Sequence, residues 1–112
     1  MEFTDYQIRA GRTINRELTR DETLKNAALG LAGEAGEFAD IVKKIFHQGH
    51  IFDDIVKDKM KKELGDILWY VAEAATVLKV KLDDIAIENI DKLIRRYPGI
   101  GFDPDKSINR QE

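Results

Sequence analysis

Two segments of the chain repeat one five-residue pattern of acid, apolar residue, glycine, acid and apolar residue. The first is Glu34-Ala35-Gly36-Glu37-Phe38 and the second is Glu63-Leu64-Gly65-Asp66-Ile67. Residues three apart are neighbours on the surface of a helix, so each segment presents a pair of carboxylates on one face. Two such pairs on adjacent helices predict a binding site for a divalent cation.

The ligand atoms of this site must be oxygen or nitrogen, because the chain contains no cysteine. The acids flank the apolar stripes of their helices, where a carboxylate is partly desolvated and unfavourable unless a cation or hydrogen bonds compensate it. Carboxylate oxygens suit hard ions. We therefore expect Mg²⁺ as the cofactor, with Mn²⁺ as an alternative and with coordination positions left for water and phosphate.

Glycines inside the same helices give a second indication. A single acid pair at helical spacing is commonly a solvated face, whereas two pairs in matching register, each enclosing a glycine, are less easily accidental. Glycine in a helix interior is about 1 kcal/mol less favourable than alanine. Gly30, Gly33, Gly36 and Gly65 therefore indicate either that a helix or ligand approaches the backbone closely or that the helices simply pack tightly.

A later segment carries charge of the opposite sign. Asn89, Lys92 and Arg96 are spaced three and four apart and form one stripe beside an apolar row. The stripe either forms salt bridges with the acids or binds phosphates whose charge bridges metal and protein. His47 and His50 are more often structural or solvated in such a position, and no glutamate precedes a histidine by three, as diiron helical proteins require.

Periodicity and capping residues predict an all-α fold with four main helices. We expect them near residues 5–17, after a capping box at Thr4, and 21–47, after one at Thr19, then from residue 53 or 54 to about 79, and from 83 to 97. Residues 99–112 have the composition of a loop. The expected architecture is a four- to five-helix bundle with long antiparallel central helices, a domain over residues 1–98 and a C-terminal tail over 99–112.

Length and charge limit the partners. A chain of 112 residues suits one modest core, and a formal net charge of -3 gives no indication of a nucleic-acid polymer or a membrane surface. The chain shows neither a signal-peptide pattern nor a membrane-spanning run, so a cytoplasmic location is expected. Its long helices need partners and Trp69 projects away from the apolar stripe, so we expect a homodimer or homotetramer. A monomer with a partly exposed tryptophan is the alternative.

The motifs, taken in order, resemble those of the MazG-like nucleoside triphosphate pyrophosphohydrolases. This all-α superfamily has an E-x-x-E pair followed on the next helix by E-x-x-D. The similarity runs almost from end to end and includes Phe3 to Gln7 with Ala10 and Thr13, Gly30 to Glu37, Lys43-Lys44, Lys62 to Tyr70, Asn89, Lys92-Leu93, Arg96 to Pro98, Gly101-Phe102 and Ser107 to Arg110.

The resemblance implies hydrolysis of a (deoxy)nucleoside triphosphate between its α and β phosphates, which gives monophosphate and pyrophosphate. It implies that Glu34, Glu37, Glu63 and Asp66 hold Mg²⁺, which lowers the pKa of a bound water. One of these carboxylates is a candidate general base instead of a ligand. The candidates for substrate contacts are Lys44, Lys92 and Arg96, with Asn89 and Tyr97 nearby.

Two other functions remain open at this point. One is a related enzyme that acts on phosphoribosyl-ATP. The other is a non-catalytic helical oligomerisation or regulatory module that retains an ion site, which the presence of all four acids and the basic stripe disfavours. The tail either folds over the nucleotide, as the resemblance implies for Ser107 and Arg110, or frays as chain ends usually do.

Overall fold

The computed structural model describes residues 1–99 and 101–109, and in this part of the chain the regular structure is helical. Five helices follow one another: α1 (Phe3–Gly11), α2 (Arg20–His47), α3 (Asp54–Val77), α4 (Leu82–Arg96) and α5 (Pro104–Ile108). The long helices α2 and α3 pack against each other in antiparallel orientation, while α1 packs on α3 and α4. The prediction of an all-α fold with two long antiparallel helices is confirmed.

Local hydrogen bonds set the ends of the two long helices. The Thr19 side chain accepts from the backbone N–H of Glu22 at 3.1 Å, and the Glu22 carboxylate accepts from the Thr19 N–H at 3.1 Å, which confirms the predicted capping box of α2. Asp53 caps α3 by accepting from the N–H of Val56 at 2.9 Å. After α2 the chain turns at Gly49, whose φ of 72° is readily available only to glycine.

The first helix was predicted wrongly at both ends. It begins at Phe3 and ends at Gly11, and Glu2 precedes it without a side-chain cap. The Thr4 hydroxyl does not form the predicted capping box, because it donates to the carboxylate of Asp83 at the start of α4. Beyond the helix, Asn15 accepts from the backbone N–H of Glu17 at 3.0 Å, a local turn that competes with helix formation.

The tail also differs from the loop predicted for it. Residues Pro104–Ile108 form the short helix α5, with proline in its first turn and the Asp103 side chain accepting from the N–H of Asp105 at 3.0 Å. The rings of Tyr97 and Phe102 lie 5.3 Å apart between their centroids, at the junction with α4. Arg110, which was expected at the nucleotide, lies outside the described residues.

A single chain leaves much apolar surface uncovered. The fully buried apolar residues of the described chain are small ones, Ala27, Ala72 and Ala75, together with Leu82. The radius of gyration is 17.1 Å, whereas a compact chain of this length would have about 13 Å. None of the helices in residues 1–99 and 101–109 combines the length and apolar character needed to cross a bilayer.

Candidate metal centre

The seam between α2 and α3 carries the candidate site. Residues three or four apart share one face of a helix, so a series of such positions on each helix runs along the seam. The cross-helix contacts are, from one end to the other, Asn26 with Glu73, Gly30 with Tyr70, and Glu34 and Glu37 with Glu63. The antiparallel register therefore brings the first acid pair opposite the second.

Three of the predicted metal ligands form a cluster. Each of Glu34, Glu37 and Glu63 offers one carboxylate oxygen, and these atoms all lie within 4.8 Å of one another. Glu34 and Glu63 are half-buried and Glu37 is exposed. The Oε2 atoms of Glu34 and Glu63 are buried and have no hydrogen-bond partner. Buried polar atoms are normally paired, so these two oxygens require a partner such as a cation or a shared proton.

The electrostatics of the cluster agree with its geometry. A hydrogen bond shared with the Glu34 carboxyl, partial burial and the charges of Glu37 and Glu34 raise the pKa of Glu63 from 4.5 to about 7. Carboxylates this close cannot all be charged without cost, because like charges disfavour ionisation. A hard divalent cation would remove that cost and satisfy the orphaned oxygens, so the donor set fits Mg²⁺ or Mn²⁺.

The fourth predicted ligand, Asp66, lies beside this cluster. It is exposed and lines a surface pocket together with Glu34, Trp69 and Tyr70, but it is not one of the residues whose oxygens lie within 4.8 Å of one another. Burial, and secondarily the charge of Asp66, raise the pKa of the Tyr6 phenol, which places that α1 side chain within electrostatic range of the pocket. Asp66 therefore sits at the rim of the site.

Two aromatic side chains form one wall of this pocket. The Trp69 indole N–H donates to the Thr13 hydroxyl at 2.8 Å, and its ring meets that of Tyr70 edge to face with 5.0 Å between centroids. Trp69, a candidate for burial against another subunit, is half-buried within the single chain and bound to the turn that follows α1. The sequence did hold an indication of this position, because both aromatics follow Asp66 by three or four residues.

Lys44, a predicted phosphate contact, is engaged within its own helix. Its Nζ lies 2.9 Å from the Asp40 carboxylate, and the Nζ of Lys43 lies 3.4 Å from the same group. These two lysines lower the pKa of Asp40. His47 and His50 are exposed and do not belong to the carboxylate cluster.

Two polar residues of α4 line a pocket that contains none of the four acids. Asn89 and Lys92 line a different pocket, with Ile85, Glu88 and Arg95, and α4 packs mainly against α1.

Arg96 and Tyr97, at the end of α4, are half-buried, and the Tyr97 ring contacts Phe102. The pocket beside the carboxylates is lined by α2 and α3 residues. Asn89 and Lys92 therefore line a pocket separate from the one that Glu34 and Asp66 line.

One polar residue on the seam was missed by the sequence analysis. Glu73 is only 2% exposed, and both of its carboxylate oxygens accept from the side-chain amide of Asn26. Its sequence context indicated burial, because it is the only charged residue between positions 67 and 78.

Comparisons with known proteins cover most of the chain. Residues 22–101 match the family model of the MazG nucleotide pyrophosphohydrolase domain. The chain is also similar to the gene 37 protein of Mycobacterium phage L5, with 41% identity over 96 residues, covering 81% of this chain and 84% of that protein. No solved structure matches the chain. The matched residues include both acid pairs and the whole of α4.

Proposed function

The chain belongs to the MazG nucleotide pyrophosphohydrolase family, and from this premise we propose that it is a Mg²⁺-dependent enzyme that cleaves a (deoxy)nucleoside triphosphate between the α and β phosphates. Its products would be the nucleoside monophosphate and pyrophosphate. The observation that carries the proposal is the convergence of oxygens from Glu34, Glu37 and Glu63 within 4.8 Å, two of these residues having a buried oxygen without a partner.

The residues of the site have two roles, because the acids would bind the ion and two aromatic side chains would form one side of the pocket. Glu34, Glu37 and Glu63 would hold the ion, and Asp66 at the rim would take either a further ligand position or the proton of the attacking water. When bound, Mg²⁺ would neutralise phosphate charge and lower the pKa of a water molecule. Trp69 and Tyr70 would exclude bulk water from one side of the pocket, which strengthens the electrostatic interactions inside it.

The phosphates of the substrate also need cationic partners. Lys44 lies on α2, two turns beyond Glu37, and can exchange its exposed ion pair with Asp40 for a phosphate because such surface pairs are weak. Lys92, Arg96 and the nearby Asn89 lie on α4, which does not line the carboxylate pocket of its own chain. A second copy of the chain would bring its α4 to this pocket.

The apolar surface of α4 supports an oligomer of this kind. Ile87, Ile90 and Ile94 are 57%, 55% and 59% exposed in a single chain. The radius of gyration of 17.1 Å exceeds the roughly 13 Å of a compact chain. A homodimer or homotetramer would cover these side chains. Asn89, Lys92 and Arg96 lie on the opposite side of α4 from the three isoleucines, so apolar burial, and not charge complementarity, is the argument for the oligomer.

The proposal is tested by product analysis with a panel of ribo- and deoxyribonucleoside triphosphates and phosphoribosyl-ATP in the presence of Mg²⁺. We expect equimolar monophosphate and pyrophosphate from at least one triphosphate, and none after chelation of the metal. Turnover of phosphoribosyl-ATP alone would identify the related enzyme instead. Release of orthophosphate without pyrophosphate, or no turnover of any compound, would refute the proposed reaction.

A further inference from the structure

The buried end of the α2–α3 seam holds a carboxylate that the proposed reaction does not use. Glu73 is 2% exposed, and the Asn26 amide nitrogen lies 3.1 Å from its Oε1 and 3.3 Å from its Oε2. Burial raises the pKa of Glu73, and the hydrogen bond from Asn26 partly opposes that effect. Burying a carboxylate destabilises the fold compared with burying an apolar residue of similar size, so the presence of Glu73 here requires an explanation.

Glu73 cannot reach the ion itself. It follows Asp66 by seven residues, which is about 10 Å along the helix axis, and the Gly30–Tyr70 contact lies between the two levels of the seam. Any effect of Glu73 on the carboxylate cluster must therefore pass through the relative position of the two helices.

The side chains next to the pair define that position weakly, and the close contact between Gly30 and Tyr70, one turn further along the seam, is the other feature that defines it. The side chains that are fully buried at this end of the seam are small, Ala27, Ala72 and Ala75, and small side chains make shallow ridges that interlock less than large ones. The ion pairs within α2 and within α3 join positions no more than four apart, so those between described residues do not link the helices. The Asn26–Glu73 hydrogen bonds, by contrast, join α2 to α3.

We propose that Asn26 and Glu73 are positioning residues that fix the register of α2 against α3 and thereby hold Glu34, Glu37 and Glu63 at metal-binding distance. A slip by one helical turn moves the helices by about 5.4 Å, which is larger than the 4.8 Å spread of the ligand oxygens. The same slip leaves the Glu73 carboxylate buried without its donor. Asn26 is exposed and Glu73 is buried, and this use of a buried carboxylate with its donor is paralleled by polar residues that set the register of coiled coils. The inference rests on the metal site of the proposed function.

The test compares three substitutions at one position and its partner. Glu73→Leu removes the acceptor and keeps an apolar volume, Glu73→Gln keeps one acceptor oxygen for Asn26, and the double variant Asn26→Leu with Glu73→Leu removes the pair altogether. We expect Glu73→Leu to keep or increase thermal stability while Mn²⁺ affinity falls at least about tenfold, the size of effect that residues supporting metal ligands have. Glu73→Gln should restore affinity to near the wild-type value.

The register itself is measured independently of metal and activity. The chain lacks cysteine, so spin labels can be attached specifically at Lys25→Cys and Lys57→Cys, two exposed positions offset along the seam by about 27 Å. Dilution with unlabelled protein removes distances between copies. We expect Glu73→Leu to shift or broaden the distance distribution by about one turn, and Glu73→Gln to leave it unchanged.

Each result decides the inference. An unchanged distance distribution in Glu73→Leu overturns it, even if Mn²⁺ affinity falls. Should Glu73→Leu fail to fold, the double variant takes its place, and a folded double variant with wild-type register and Mn²⁺ affinity overturns it as well. If the wild-type protein binds no Mn²⁺, the proposed metal site fails, whereas the distance measurement still reports whether the pair sets the register.

Discussion

The ring of Tyr70 lies directly against the backbone of Gly30, so that this one side chain fills the space between the two long helices there. A Cβ added at position 30 would come within 2.6 Å of Tyr70 Cδ1 and would overlap two further ring carbons. This is the close approach that a glycine in a helix interior was expected to indicate. Gly33, Gly36 and Gly65 have no such neighbour within the described chain.

Gly30→Ala should destabilise the protein through this contact. Overpacking in a well-packed site costs about 1–3 kcal/mol, which exceeds the roughly 1 kcal/mol that alanine gains over glycine in a helix. Denaturant unfolding at one fixed protein concentration measures the change. In a Tyr70→Ala background the ring is absent, so Gly30→Ala should then stabilise by up to about 1 kcal/mol. Equal effects in both backgrounds would show that the ring contact is not the cause.

Glu63→Gln should impair metal binding without unfolding the protein. It removes one charged oxygen from the cluster, so we expect Mn²⁺ affinity and pyrophosphate release to fall at least about a hundredfold. This loss is larger than the typical loss of metal affinity when a residue that only supports a ligand is mutated. Thermal stability without metal should not decrease, because carboxylate repulsion is reduced. Asp58→Asn, on the same helix and paired only with Lys62, is the matched control and should behave like the wild type. Full activity of Glu63→Gln would remove Glu63 from the site.

Stability without metal should decrease as the pH rises towards neutrality. The folded-state pKa of Glu63 is about 7, above its ordinary value of 4.5, so the folded protein keeps a proton that the unfolded chain has released. The resulting contribution is fully present below pH 4.5 and is lost as the pH rises through about 7. Glu73, whose pKa is also raised, acts in the same direction.

Melting temperatures in a chelator between pH 4.5 and 8 measure this effect. The decrease in melting temperature with rising pH should be smaller in Glu63→Gln than in the wild type. Mg²⁺ should raise the melting temperature more at pH 8 than at pH 5, because metal binding requires the deprotonated ligands. A stability that is independent of pH over this range would contradict the charge repulsion inferred for the cluster.

The two lysines that share Asp40 allow a matched comparison of phosphate binding. Lys44→Met should raise KM for the triphosphate by about tenfold, the equivalent of one lost charge-assisted contact, because this residue is the one in register with Glu37. Lys43→Met loses its ion pair with the same carboxylate and should change KM little. Steady-state kinetics on both variants at one ionic strength provide the test, and equal effects would assign Lys44 no special role.

Ile90→Glu should disrupt the proposed oligomer. The side chain is 55% exposed in a single chain, so a charge there is tolerated by the monomer but not in an apolar interface. We expect a lower mass by light scattering and a loss of activity with Mn²⁺ affinity retained. Glu88→Gln is the control, because this exposed residue is two positions before Ile90 and so lies on the other side of the helix. A wild-type mass for Ile90→Glu would place the interface elsewhere.

The sequence predicted those parts of the molecule that depend on residues close together along the chain. The Thr19 capping box is formed by side chains three apart, and the carboxylate pairs follow from helical periodicity alone. The end of α1 was missed because Asn15 forms a local turn that a periodic pattern does not reveal. Thr4 was misassigned because its hydrogen-bond partner, Asp83, is 79 positions away.

The sequence predicted which residues form the site better than it predicted how they are arranged. Periodicity places Glu63 and Asp66 on one face, but which of them joins Glu34 and Glu37 depends on the register of α2 against α3. That register is a tertiary property, and the buried pair that accompanies it was not recognised. The separate pocket of Asn89 and Lys92 was likewise hidden, because a helical stripe indicates charge and spacing but not the direction in which the helix packs.

The position of α4 has a consequence for how such an enzyme would behave in a cell. If acidic and basic halves of the catalytic pocket come from different copies, turnover per molecule falls on dilution and rises as the protein accumulates. Hydrolysis of the nucleotide pool would then begin only above a threshold of expression, without any separate inhibitor.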